Sequence, residues 1–360
     1  MADARLTDAE VRAHRVVAHQ LTAAGGDVGV LDTGIQDTPP GTSAARALRL
    51  RGGGDPAELA LVHGARGAMH LHRRGDLPAL AAALRPDDAT DLRKQQFGPF
   101  FAELPVPIGA ALDEVAAAMA EVMADGARRS KGDLSTALQE TVDPRLRPWC
   151  AGCAAHHVHD ALFRLASLPA GLRLLPNGNG SADFIATTPT TADGAPRSQG
   201  GTADARRTLV RAFLRCAGPT DRDGLAAWLA LSPAAARRWW ALVAADLVPV
   251  SVGGRRLVMH PDDLDAARAA PRAHGVQLLP PHDPVLELTD RHLLVPDPAH
   301  RKQVWRATAN PGVVLVDGAA AGTWRRRGGA ITVAPFAALA ARHRRALAAT
   351  TGEEVVVAES

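Results

Sequence analysis

The spacing of apolar residues along the chain predicts helices first. From Thr7 they recur at helical intervals to about Leu21, and Thr7 with Glu10 three residues on makes a capping box that starts this helix. "TSAARALRLR" (42–51) returns to helical character. Further helices are expected at 111–126, closed by Gly126, and at 130–142 and 156–168. Where the pattern alternates, strands are expected. "GAMHLHRRGDL" (67–77) reads as a strand leading to a turn, and "GLRLLPNGNGSADFIAT" (171–187) as a hairpin turning at Asn177-Gly178-Asn179-Gly180. Three helices and a hairpin describe a winged helix.

The same order recurs more sharply further on. Helices are expected at 205–218, at 220–232 with Thr220 and Asp223 as cap, and at 234–247. The last opens on Ser232-Pro233, a cap followed by Pro at the first helical position. "VPVSVGGRRLVMH" (248–260) then reads as a hairpin turning at Gly253-Gly254. Residues 1–95, in the order helix, turn, helix, strand, read as a third, degenerate copy. Residues 188–204 are poor in apolar side chains and read as a linker. The Pro-rich connection 96–108 carries Phe97, Phe100 and Phe101, expected to pack between domains. After 275, strands with an Asp317-Gly318 turn, a helix at 337–349 and "EVVVA" (354–358) make a small β module. The expected fold is mainly α with β: tandem winged helices at 1–95, 108–187 and 205–262, and a C-terminal β module with a helix at 275–360.

Composition adjusts this picture little. Of 360 residues 46% are apolar and 22% charged, an ordinary globular balance. The net charge is +3 and the pI about 9.1, which permits nucleic-acid binding without demanding it. Nearly all basic residues are Arg; the lysines are Lys94, Lys131 and Lys302. Three cysteines make no disulfide framework and fit a reducing compartment. No apolar run reaches the length of a membrane helix and the N-terminus lacks a signal pattern, so a soluble cytoplasmic protein is expected, and separately a monomer.

Candidate chemistry concentrates in a few places. In "WCAGCAAHHVH" (149–159), Cys150 and Cys153 have zinc-knuckle spacing, with His156, His157 and His159 close behind. A structural zinc on Cys150, Cys153, His156 and His157 stands against the plainer reading of two small thiols packing at a helix start. His70, His72, Arg73 and Arg74 form a candidate basic wing for phosphate; Arg237 and Arg238 fall on a candidate recognition helix. There Trp239 and Trp240 are adjacent, so only one can face the core. Arg325-Arg326-Arg327 is a cationic spot on an expected turn. A solvated surface is the competing reading for each of these. No Walker loop, GxSxG elbow or HExxH occurs, which leaves kinase, serine-hydrolase and zinc-protease readings without support. The remaining candidate is "GVLDTGIQDTPPGTS" (29–43), where Gln36, Asp37 and Thr38 sit on a turn stiffened by Pro39-Pro40. Such a turn forms an active site in some proteins and an ordinary loop in many.

These units, with "GIQDTPPGTSAARALRLR", "CAGCAAHHVHDALFRLASLPAGL", "LLPPHDPVLE" and "VLVDGAAAGTWRR", resemble the winged-helix DNA glycosylases of the AlkZ/YcaQ type. The resemblance covers most of the chain. It implies a monofunctional glycosylase that removes alkylated or bulky cationic purines from double-stranded DNA without an organic cofactor. That family's catalytic motif is Gln, an apolar residue, then Gln or Asp. Gln36 matches its first position, while Asp37 stands in the middle and Thr38 in the third. Either Asp37 supplies the carboxylate one residue early, or this branch has changed the chemistry. A carboxylate stabilises the positive charge that develops on the sugar, and a Gln can position water. The alternatives are a non-catalytic winged-helix DNA-binding or regulatory protein, and a protein-binding module.

Overall fold

The computed structural model describes residues 4–22, 28–187, 201–327, 329–351 and 354–358. The first segment contains β1 (Ala4–Leu6), α1 (Asp8–Ala18), β2 (Ile35–Gln36), α2 (Ala44–Arg49), β3 (Leu59–His63), β4 (Met69–Arg73) and α3 (Leu77–Leu84). The second contains α4 (Lys94–Phe97), α5 (Ile108–Val122), α6 (Lys131–Thr141), β5 (Trp149–Cys150), β6 (Ala155–His156), α7 (Asp160–Ser167), β7 (Leu172–Pro176) and β8 (Ala182–Ala186). The third contains α8 (Thr202–Ala217), α9 (Arg222–Leu229), α10 (Pro233–Ala241), β9 (Val248–Val252), β10 (Arg255–Met259) and α11 (Pro261–Ala269). The last contains β11 (Val276–Leu279), α12 (Arg291–Leu294), α13 (Pro298–Val304), β12 (Gly312–Val316), β13 (Ala319–Arg327), β14 (Ala330–Pro335), α14 (Ala341–Thr351) and β15 (Val355–Val357). The architecture is mainly α with several small sheets.

Local chemistry explains the best-formed elements. Thr7 and Glu10 close both halves of the capping box on α1. Ser232 accepts from the Ala235 N–H and Pro233 opens α10, as its sequence requires. Trp239 is the member of its pair that enters the core. The hairpin β9–β10 turns at Gly253 and Gly254, both at positive φ. In α5 the stripe Ile108, Ala111, Leu112, Val115 and Met119 is buried against α6, α7, Phe97 and Phe101. Two expectations are corrected here. The cap of α9 is Asp221, accepting from the Gly224 N–H at 2.9 Å, because the Thr220 backbone is already paired with Val258. The linker ends earlier than expected, since Thr202–Asp204 already belong to α8; residues 188–200 lie outside the described residues.

The units are stitched together by sheets that run between them. Strand β1 adds in parallel to β9, with Ala4 opposite Val250, so the chain's first strand completes the sheet of the third unit. Strands of the first and second units share one five-stranded sheet, ordered β2-β4-β3-β7-β8 and joined where Leu61 faces Leu174. The C-terminal sheet is ordered β11-β12-β13-β14-β15.

This arrangement overturns the basic wing. His70, His72 and Arg73 lie on β4, inside the shared sheet between β2 and β3, and all three are buried. Burial drives the His70 imidazole down to about 3 and that of His72 to about 4, so neither carries the charge a phosphate contact needs. Arg73 is engaged by Asp32 at 2.5 Å, and half-buried Arg74 donates to the Leu59 carbonyl. Arg325 and Arg326 are corrected too: they lie within β13, paired with Thr332 and Ile331, not on a turn.

Candidate active site

Strand alternation decides how the polar turn is used. Gln36 is the last residue of β2, anchored by Ile35, which is fully buried and opposite Leu71 on β4. Successive side chains on an extended segment point to opposite sides. Asp37 is buried and turned toward the start of α2. Its carboxylate accepts from the backbone N–H groups of Gly41, Thr42, Ser43 and Ala44 at 2.6–3.1 Å, and from the Ser43 hydroxyl. Since Ser43 makes no side-chain cap of its own, Asp37 supplies the anion that the helix N-terminus favours. Gln36 and Thr38 face the other way, and their side chains meet at 3.3 Å.

On that side four segments converge. Arg66 comes from the β3–β4 turn, with its backbone in the left-handed region at φ 61°. One guanidinium nitrogen donates to the Trp228 carbonyl at 2.5 Å; the other donates to Gln36 Oε1 at 2.8 Å and to Glu287 Oε2 at 3.1 Å. His282 and Glu287 come from "LLPPHDPVLE", which follows β11. His282 Nδ1 lies 3.1 Å from Glu287 Oε1 and 3.2 Å from Gln36 Nε2. A carboxylate only accepts and an amide nitrogen only donates, so Nδ1 serves one of them at a time. Protonated it donates to Glu287; bare it accepts from Gln36. Burial pushes the Glu287 carboxyl up, but the His282 hydrogen bond and the Arg66 guanidinium outweigh it and hold the group below its ordinary value. The bond to Glu287 needs the tautomer that carries its hydrogen on Nδ1.

The cavity these groups share is small, about 20 Å³, on the order of one water, with His19, Thr33, His70, Phe213, Cys216 and Trp228 completing much of its wall. His19 is fully buried and, like His70, is driven down to about 3 by burial, so both are neutral near pH 7. Phe213 and Trp228 stack on one another with centroids 4.7 Å apart. The loop bearing His282 and Glu287 is fixed from beneath by a bidentate Arg51–Asp283 pair, both bonds 2.9 Å and both side chains wholly buried. Arg51 also donates to the His19 and Ala47 carbonyls, which ties α1 and α2 to this loop.

Beside the cavity runs an open groove of about 600 Å³, lined by Arg46, Arg49, Arg325, Arg326 and Trp324 among others. The same two turns serve both spaces. Residues 36 and 282 line the cavity, whereas 41, 42 and 281 line the groove. Arg46 lies over the Trp324 ring at 4.9 Å. Of the other cationic candidates, Arg237 is exposed on α10 and Arg238 is paired with Asp91.

The structure thus brings Gln36 and Thr38 to the site and turns Asp37 away from it. Arg66, His282 and Glu287 were not singled out from sequence. The two-residue period of β2 could have assigned Asp37 to the opposite side. No local signal could have joined 287 to 36.

The DNA glycosylase AlkZ-like family matches residues 42–353, a span that begins just after the Gln36-Asp37-Thr38 turn. No curated protein matches the chain. Among solved structures, the Streptomyces sahachiroi DNA glycosylase AlkZ is similar at TM-score 0.73 and 20% identity, over 98% of this chain and 99% of that one.

Proposed function

Because this chain belongs to the AlkZ-like DNA glycosylase family, we propose that it hydrolyses the N-glycosidic bond of alkylated or bulky cationic purines in double-stranded DNA, using the cavity at Gln36. The observation that carries this reading is the convergence of Gln36, Arg66, His282 and Glu287 on one space beside an arginine-lined groove.

The roles follow from the chemistry of each group. Loss of the base leaves positive charge on the sugar, and the ionised Glu287 carboxylate stabilises it electrostatically. His282, oriented through Nδ1–H to Glu287, keeps its other ring nitrogen as an acceptor for a water proton. The Gln36 amide, held by Arg66, positions that water. An alkylated purine leaves as a neutral base, so no strong general acid is required. That suits a cavity whose buried histidines His19 and His70 stay uncharged. Arg46, Arg49, Arg325 and Arg326 provide the cationic surface for the phosphate backbone, with Arg237 on α10 a second contact.

The test is release of free base from duplex DNA carrying N-alkylated purines, with alkali revealing the abasic sites left behind. Binding that weakens steeply with salt, together with base release, supports the proposal. Binding without release assigns the protein to the regulatory reading instead.

A further inference from the structure

The knuckle at 150–157 lies outside the cavity, and its geometry selects one ligand set from the candidates in the sequence. We propose that Cys150, Cys153 and His157 bind one zinc ion, with the fourth coordination position open to solvent. The two sulfur atoms and one ring nitrogen lie within 4.8 Å of one another. In a tetrahedral site with Zn–S of about 2.3 Å and Zn–N of about 2.0 Å, neighbouring ligand atoms are on the order of 3.5–3.8 Å apart, so closure needs a shift of roughly 1 Å.

Three observations support more than chance proximity. The two cysteines sit in one tight turn. It closes the short hairpin β5–β6, and the Cys153 N–H donates to the Cys150 carbonyl at 3.3 Å. Ala154, just after the second cysteine, has φ 49°, in the left-handed region, where the chain turns into β6. His157 is also prepared as a ligand. Its Nδ1–H donates to the Val158 carbonyl at 2.8 Å, which fixes Nε2 as the nitrogen bearing the lone pair. That Nε2 is buried and has no hydrogen-bond partner among the described residues, and the ring offers a nitrogen within 4.8 Å of both sulfurs. Finally, the other histidines are committed elsewhere. His156 is exposed, with Nδ1 at 3.1 Å from the Arg147 carbonyl. His159 caps α7 by accepting from the Ala161 N–H and stacks on Phe100 at 4.0 Å. This narrows the set read from sequence by removing His156. Zinc here would tie the hairpin, whose Trp149 is 57% exposed, to the start of α7. Binding releases the thiol protons to solvent and involves no redox change.

Full-length protein purified under reductant and supplied with zinc should carry about one equivalent per chain by elemental analysis. Cobalt(II) in its place should give sulfur-to-metal charge-transfer absorption. Cys153→Ser should lose both signals while keeping the wild-type circular dichroism. Losing even an outer-shell partner weakens a metal site roughly 10–100-fold, so His157→Ala should lose at least that much affinity. His156→Ala should bind as wild type does. Folded wild-type protein without the cobalt band, zinc binding unaltered in Cys153→Ser, or a Cys150–Cys153 disulfide that persists in reductant would each overturn the assignment. Unfolding of Cys153→Ser leaves the cobalt band and the His156/His157 comparison to decide.

Discussion

Asp37 and Glu287 have exchanged the parts their sequence neighbourhoods suggest. Asp37 sits in the most conspicuous polar turn of the chain, yet its carboxylate is consumed by four backbone N–H groups at the start of α2. Asp37→Asn should therefore act first on stability, lowering it by about 0.5–2 kcal/mol, the usual range for a helix cap, in urea unfolding. An unchanged unfolding midpoint would contradict this role. Glu287 sits in a stretch rich in Pro and apolar residues and joins the candidate site only because folding links it to Gln36 through Arg66 and His282. The Gln36 half of the candidate site was legible in the sequence. The Glu287 half depends on a contact between residues about 250 positions apart, which no local pattern encodes.

Among the elements, the loop after β11 is the one on which the site turns. Its Asp283 is paired with Arg51 where neither side chain reaches solvent. Removing one partner strands a buried charge, so Arg51→Met should destabilise the fold by roughly 3–5 kcal/mol. The double variant Arg51→Met/Asp283→Leu should recover part of that loss. Equal or greater loss in the double variant, measured by denaturant unfolding, would contradict the pair's isolation. Strand β4 is the complementary case. Its alternation was visible, and the strand was expected at 67–77. Its histidines were placed on a wing because sequence does not show which faces other units cover. Here β2 and β3 flank the strand and the second unit extends the sheet, so polar-looking positions are interior.

For the molecule as a whole, buried histidines set the response to acid. His19, His63 and His70 are driven down to about 3, and His72 to about 4, in each case chiefly by burial. Unfolded histidines take up protons near 6.5, whereas the folded state resists until about 3–4. Between those values the unfolded chain binds more protons, so stability must fall as pH drops below 6.5 and level off near 3. Each histidine contributes a slope of about 1.4 kcal/mol per pH unit inside that window. Urea midpoints measured from pH 7 to 4 should decline steadily. A flat profile between pH 6.5 and 5 would contradict the burial of these rings. The three-helix-and-hairpin order of the third unit was readable because its caps, Pro233 and Gly253-Gly254 act locally. The pairing of β1 with β9 and the sheet shared by the first two units were not, since both are long-range pairings.

The central claim is that Glu287 supplies the charge that stabilises the departing-base transition state. The most direct test is single-turnover base release from duplex DNA carrying a cationic N-alkylated purine, comparing wild type with Glu287→Gln. The substitution keeps size and hydrogen bonding but removes the charge. Release should slow by roughly a hundred- to a thousand-fold, while DNA affinity stays close to wild type because phosphate contacts dominate it. Release by Glu287→Gln at the wild-type rate, or no release by wild-type protein that binds the same duplex, would contradict the account.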